Sequence, residues 1–539
     1  MLRRIESEVL RDGALNFRPG LNVIVGDDNA ETSIGKSMSL MLVDFAFGGD
    51  DYLTKCADAV DHLGDHGFVF SFEFSGKAFR FRRSTLKGKM IERIDPAGKV
   101  CESLTLQQYR EWLANAYGVQ DGHQTFRGLV SPTSRIWGRD NYSVSAPLNG
   151  AGRKMQDCID YLLMTFGLYD QIAQREKVLM GLQEKLDAAK GAEKYDLIPA
   201  VKGAEYKSVC TRTEQLEEEL ASLKREVVAS RTDMSALMTN ELLRLKDQRS
   251  LLVSEKDMML NRKSRLEASR SGRSLISKSQ LDRLHRFFPG VDIRRIEEIE
   301  SFHKKISLIL NEYYREELDR LDRAIKDTVA AIEQIDVDVD SKMSVAKADD
   351  GLAERLIEVA VEIKKNERVK VAYESHKRLL DQLKLSREDR DRVKLRFLQE
   401  IQGEIYSELL HLSEAIYGNE RKPPTLILSV GTYKFYHNDD TGTGRAYLSL
   451  ILLDLALFKL TKIPFLVHDS LLFSNVSNDA IERLIDIYSQ SSRQIFISID
   501  EVPKYSQKTQ ARIGQAKVIG LSKDHVLFTK DWKRNAAKQ

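Results

Sequence analysis

Apolar residues along this chain change rhythm twice. Up to about residue 165 they come in short runs, LNVIVG from Leu21, FVFSFEFSG from Phe68 and AFRFRR from Ala78, with apolar and aromatic side chains at strand spacing between turns. From about 165 to 415 the chain is charged and poor in glycine. There Leu216, Leu220, Leu223 and Val227 step by four, three and four, the seam of a coiled coil, and Leu318, Leu321 and Ile325 and then Leu352, Leu356, Val359 and Ile363 repeat it. After 415 strand character returns in TLILSV and TYKFYH, followed by a helix from about Arg445 and the strands PFLVHD and QIFISID.

This symmetry predicts an α/β head made of both chain ends, residues 1–165 and 416–539, with a long antiparallel coiled-coil hairpin, 166–415, inserted between them. Gly272, Pro289 and Gly290 break helix, and Phe287 and Phe288 offer a small apolar cluster, so the tip is expected near 270–300. The segments around Pro199 and 336–351 interrupt the seam and predict joints in the arms. Uninterrupted arms at about 1.5 Å per residue would reach on the order of 100 Å or more. An ordinary antiparallel helical bundle is the alternative.

Composition narrows the picture only slightly. The 83 basic and 81 acidic residues give a net charge of +2, so any nucleic-acid surface has to be local. Cys56, Cys101, Cys158 and Cys210 lack metal-binding spacing, which suits reduced thiols in a cytoplasmic protein without structural zinc. The opening MLRRIESEVL has no signal-peptide core, and the longest apolar stretch, Leu448 to Phe458, is too short to span a bilayer and carries Asp454. No membrane association is expected.

The candidate chemistry begins at LNVIVGDDNAETSIGKSMSLMLVDF. A buried strand runs into a loop ending in Gly35-Lys36-Ser37 and then into an apolar helix, the context a phosphate-binding loop requires. Gly26 and the backbone of Ser33, Ile34, Gly35, Lys36, Ser37 and Met38 would surround the phosphates at the helix start. Lys36 would reach the β and γ phosphates of ATP, and Ser37 would place its hydroxyl on Mg²⁺. The usual pattern has glycine at position 30, where this chain has Ala30, so a longer loop bulging over Asp27 to Thr32 is expected.

A carboxylate at the end of a neighbouring strand should complete the magnesium shell. Asp469, after the strand Ile463 to Val467, is assigned to it, with Asp454 as the competitor inside an apolar helix. Thr441, Gly442, Thr443 and Gly444 precede that helix and could approach a γ-phosphate.

With these segments in place, the chain resembles the SMC, RecF and RecN class of ABC ATPases. It is similar in particular to a bacterial SMC-like family with a carboxy-terminal domain of unknown function, found in defence and mobile-element gene clusters. FRPGLNVIVG and TSIGKS resemble the strand and phosphate loop, GTGRAYLSLILLDLAL the signature segment, and PFLVHDS the Walker B strand. The resemblance implies an ATPase whose two heads close over two ATP molecules, an ATP-dependent homodimer, engaging DNA and a partner effector or nuclease.

The chain also departs from that class. Ser470 stands where a glutamate usually polarises water, and Asp500 and Glu501 stand where a switch histidine is expected. Either acid could be the base, hydrolysis could be slow with ATP acting mainly as a clamp, or a shifted alignment could put His468 in the Walker B place and Asp469 in the base place. Gln124, Arg127 and Arg135 are candidates for a glutamine loop, with a basic surface loop as the alternative. Near the expected tip, Arg262, Lys263, Arg265, Arg270, Arg273, Lys278, Arg283 and Arg286 could meet DNA phosphates or form a solvated helix face. A scaffold that recognises protein through its coiled coil, without DNA contact or useful turnover, is the rival reading.

Overall fold

The computed structural model describes residues 1–27, 34–120, 122–194, 199, 201–229, 233–271, 293–346, 352–418, 421–437 and 443–532. Ser33, Thr441, Gly442, the residues 28–32 of the expected bulge and the tip residues 272–292 lie outside them. So do Arg273, Lys278, Arg283 and Arg286, and the side chains of Arg265 and Arg270. In chain order the strands are β1 (Leu2–Glu6), β2 (Ala14–Asn16), β3 (Leu21–Val25), β4 (Gly67–Phe74), β5 (Lys77–Ser84), β6 (Met90–Ile94) and β7 (Val100–Thr105). They continue as β8 (Ser134–Arg135), β9 (Thr425–Leu428), β10 (Tyr433–Tyr436), β11 (Phe465–His468), β12 (Gln494–Ile499) and β13 (Lys517–Gly520). The helices include α1 (Lys36–Ala46), α2 (Gly203–Ala229), α3 (Asp233–Ser271), α4 (Ile293–Ala346), α5 (Leu352–Tyr417) and α6 (Thr443–Leu460). Among the described residues no helix is long and apolar enough to cross a membrane.

Contacts divide the chain into two units, Met1–Lys177 with Arg387–Gln539, and Val178–Ser386. The first holds a parallel sheet in the order β13-β3-β12-β11-β8, which interleaves strands from both ends of the chain. Parallel strands are covered on both faces, so their sequences read as unbroken apolar runs. All four residues of β11 and all six of β12 are buried, including His468 and Ser498. The other large sheet is antiparallel, β2-β1-β4-β5-β6-β7. Its β4 buries Phe68, Phe70 and Phe72 on one face while Val69 and Ser71 on the other are half-exposed, the period of two that one covered face imposes.

Helix α1 lies against both sheets and is buried from Ser39 to Ala46. Phe45 packs edge-on against Phe68 and Phe70, and Phe47, just past the helix end, stacks on Phe465 with ring centroids 3.8 Å apart. Its C-terminal carbonyls are met by buried donors. Arg83, fully buried, donates to the carbonyls of Phe45 (3.1 Å) and Gly49 (2.6 Å), and the Tyr109 hydroxyl donates to Ala46 (2.6 Å). Burial lowers the Arg83 guanidinium to about 10 against the pull of Asp50. Cationic and hydroxyl donors at a helix C-terminus offset its orphan carbonyls and dipole. The helix carrying the Lys36-Ser37 pair is thereby held at its C-terminal end.

The second unit is helical. Arg212 meets Glu362 at 3.0 Å and Arg355 meets Glu219 at 2.8 Å, so α2 and α5 run antiparallel, with Leu216, Val359 and Ile363 as their buried seam. Helices α3 and α4 are also antiparallel, through Arg249–Asp336 (2.5 Å), Lys263–Asp322 (2.6 Å) and Lys342–Glu241 (2.8 Å). The α3 side chains Asp247 and Ser250 then meet Lys364 and Arg368 of α5 in rising order, and Leu242, Val339 and Ile357 share one cluster. The two antiparallel pairs therefore lie side by side over this stretch. That differs from one pair prolonging the other, because Leu242 and its neighbours have an apolar face that α4 alone does not cover.

Candidate functional site

In an open parallel sheet the strand C-termini form the crevice where ligands bind. Here β3, β12, β11 and β8 bring Gly26, Asp500, Asp469 and Trp137 to one such edge. Gly35 caps α1 in the left-handed region (φ 109°), where an added Cβ would also sit 2.6 Å from the Leu527 Cβ. Ile34, just before it, is buried at 3% exposure. A cavity of about 570 Å³ opens over this edge, lined by Gly35 to Met38, Met41, Lys55, Trp137, Asp469, Ser470 and Asp500 among others.

Asp469 is the most heavily coordinated group in the cavity. Its Oδ2 accepts from the Ser37 hydroxyl at 2.6 Å and from the Trp137 backbone N–H at 2.9 Å. Its Oδ1 accepts from the Ser498 hydroxyl at 2.6 Å and the Ser470 N–H at 2.8 Å, and its own N–H donates to the Arg135 carbonyl at 3.0 Å. The carboxylate is 1% exposed and aimed at Ser37. Among the described residues no group of three or more His, Cys, Asp and Glu could hold a metal. One hydroxyl and one carboxylate nevertheless fit Mg²⁺, which takes few protein ligands and relies on waters and substrate phosphates.

Lys36 forms an ion pair with Asp500, both side chains mostly buried at 11% and 18% exposure. Burial pushes the Asp500 carboxyl above its ordinary value, against the opposing effects of Lys36 and Ser470. Glu501 instead turns outward to Lys504 at 2.9 Å from a left-handed backbone (φ 53°). Gly444 packs its Cα against the Asn475 carbonyl at the start of α6 and does not line this cavity.

Asp454 lies elsewhere. Fully buried in α6, it takes two hydrogen bonds from Arg135, 2.5 and 2.7 Å, and sits 3.2 Å from His468 Nε2. Burial pushes its carboxyl up, but Arg135 and His468 outweigh that and hold it below its ordinary value. His468 Nδ1 meets the Tyr488 hydroxyl at 2.6 Å, so its ring faces the core. The three glutamine-loop candidates are also engaged away from the cavity: Gln124 with Thr165, Arg127 with Asp44 and Arg135 with Asp454.

Sequence reasoning missed Trp137 and Ser498. The Trp137 side chain is 64% exposed beside the cavity while its amide holds Asp469. The two-residue strand β8 carries no periodic signal; the only hint was an aromatic residue beside glycine in RIWGRD.

Residues 412–530 match the family model described as "Uncharacterised protein conserved in bacteria (DUF2326)". No curated protein matches the sequence. Among solved structures, the chain is similar to the Smc head domain with a coiled coil and joint from Pyrococcus yayanosii, at 15% identity and a TM-score of 0.39, over 93% of this chain and 92% of that one. It is similar also to the Smc head domain with an extended coiled coil bound to the C-terminal domain of ScpA from Pyrococcus furiosus, at 12% identity and a TM-score of 0.35, over 95% and 91% of the two chains.

Proposed function

We propose that this chain is an SMC-like ATPase that binds Mg²⁺-ATP in a head formed by residues 1–165 and 416–539, with residues 166–415 as its helical insertion. The observation that carries this reading is the 2.6 Å hydrogen bond between Ser37, at the start of α1, and Asp469, at the end of a strand two places away in the same parallel sheet. That is the hydroxyl and carboxylate pair a phosphate loop needs around magnesium. Gly26 and residues Ser33 to Met38 surround the phosphates, with the amides at the α1 N-terminus and Lys36 facing them. Bound magnesium neutralises charge on the β and γ phosphates; Ser37 and Asp469 would hold it.

Turnover is expected to be slow. Ser470 lacks a carboxylate, and Glu501 is committed to Lys504. Asp500 lines the cavity with Asp469 and Asp58, and its carboxylate is engaged by Lys36. ATP then acts mainly as a clamp: Thr441 to Gly444 of a second copy close over the nucleotide, and the homodimer passes its state to DNA and to an effector or nuclease, in a cytoplasmic defence or repair setting. This outer part of the reading rests on the sequence resemblance. Arg262 and Lys263 add nothing to it, since Glu317 (2.5 Å) and Asp322 (2.6 Å) match their charges.

The test is calorimetric titration of the full chain with Mg²⁺-ATP. Lys36→Ala should abolish measurable binding while leaving the circular dichroism spectrum unchanged. Unaltered affinity in the folded variant would sink the assignment of the phosphate loop.

A further inference from the structure

The Lys36–Asp500 pair is built from several directions. The Gly26 N–H donates to the Ile499 carbonyl at 2.8 Å and the Glu501 N–H to the Asp27 carbonyl at 3.2 Å, so the end of β3 and the turn after β12 are tied together. A Cβ on Gly26 would fall on Asp500 Oδ1 and 2.9 Å from the Lys36 Cδ, so glycine here makes room for the pair itself. Glu501 adopts the left-handed region, uncommon for a residue other than glycine, and the two neighbouring acids diverge, Asp500 into the cavity and Glu501 out to Lys504.

A lysine ammonium in such an enclosed place is costly unless an anion meets it. Asp500 meets that need without nucleotide. The phosphates of ATP have to make the same contact, so binding exchanges one anion for another at Lys36. The displaced carboxylate would remain in a cavity that also holds Asp469 and the incoming phosphates. Like charges brought together in a partly desolvated site oppose binding.

We propose that Asp500 is the affinity-setting counter-ion of this site: it neutralises Lys36 until the β and γ phosphates displace it, and it thereby weakens nucleotide binding. This rests on the nucleotide reading above. It assigns Asp500 a role separate from that of a general base, which would act on turnover and spare affinity.

The experiment measures the affinity of the full chain for a non-hydrolysable ATP analogue with Mg²⁺, which removes any trapping caused by lost hydrolysis. Asp500→Asn keeps the shape and loses the charge, and it should bind the analogue at least roughly tenfold more tightly. Asp500→Ala serves as a second variant should the first fail to fold, with the same expectation. Unchanged affinity in either variant overturns the proposal, and a simultaneous loss of ATP turnover would mark Asp500 as the base. Weaker binding also overturns it, making Asp500 a ligand of the nucleotide or its metal. If the wild type binds no analogue, both this proposal and the nucleotide reading fall, whereas a wild type that binds beside an indifferent variant removes the counter-ion alone.

Discussion

Arg135→Met should be the most damaging single substitution near the site, although the Arg135 side chain lines no part of the cavity. The guanidinium and the Asp454 carboxylate are both fully buried and joined by hydrogen bonds of 2.5 and 2.7 Å. Arg135 also donates to the carbonyls of Asn141 and Pro147. Methionine fills similar volume but leaves Asp454 with only His468 at 3.2 Å. Removing one partner of a buried pair costs about 3–5 kcal/mol, because the other charge stays desolvated. Against a typical total of roughly 5–15 kcal/mol this is a large fraction.

The assay is urea unfolding followed by tryptophan fluorescence. Trp112, Trp137 and Trp532 all belong to the unit Met1–Lys177 with Arg387–Gln539, so the signal reports that unit alone. The pH dependence carries a sign. Asp454 is held below its ordinary value of 3.8, so its contribution is present above that value and is lost as pH falls through the lower folded one. The wild type and Arg135→Met should therefore differ at neutral pH and converge in acid. Replacing both partners, Arg135→Met with Asp454→Leu, should recover much of the loss, since the penalty belongs to the orphaned charge. A loss below about 1 kcal/mol at neutral pH, or a difference that does not shrink in acid, would refute this account of the pair.

Two further outcomes are expected. Asp469→Asn should weaken nucleotide binding by roughly 10- to 100-fold in Mg²⁺ and leave it nearly unchanged in chelator, read by paired calorimetric titrations. Joining residues 1–177 to 387–539 through a short linker should give a cooperatively folding protein by thermal melt, whereas either piece alone should aggregate, because β3 would lack β12 and β13, and β11 would lack β8.

The legible part of this chain is the part where burial is uniform or strictly periodic. The strands β3, β11 and β12 could be read because both faces are covered and nearly every residue is apolar. The aromatic alternation of β4 marked a sheet with one covered face. Gly35-Lys36-Ser37 stood out because a left-handed cap and a following buried helix leave residue-level traces. The helical seam at Leu216, Val359 and Ile363 was also visible, but periodicity says which face of a helix is buried and not which helix buries it. The side-by-side arrangement of α2 with α5 and α3 with α4 depends on matches such as Arg249 with Asp336, 87 residues apart, that no local pattern encodes.

The same limit decided what could be said of the acids. Asp454 and Asp469 are both aspartates in apolar surroundings; the strand end before Asp469 favours it in the sequence, and their partners separate them in the structure. Asp454 is claimed by Arg135, 319 residues away in sequence, and Asp469 by Ser37, 432 residues away. Arg135 is itself the residue whose carbonyl holds the Asp469 N–H at 3.0 Å, while Trp137, two residues on, donates its amide to the same carboxylate. The buried pair and the cavity carboxylate are therefore anchored by one three-residue stretch, Arg135 to Trp137. Packing that locks Arg135 in the core also fixes the direction in which Asp469 faces Ser37, so a sequence feature with no local signature positions the most readable motif in the chain.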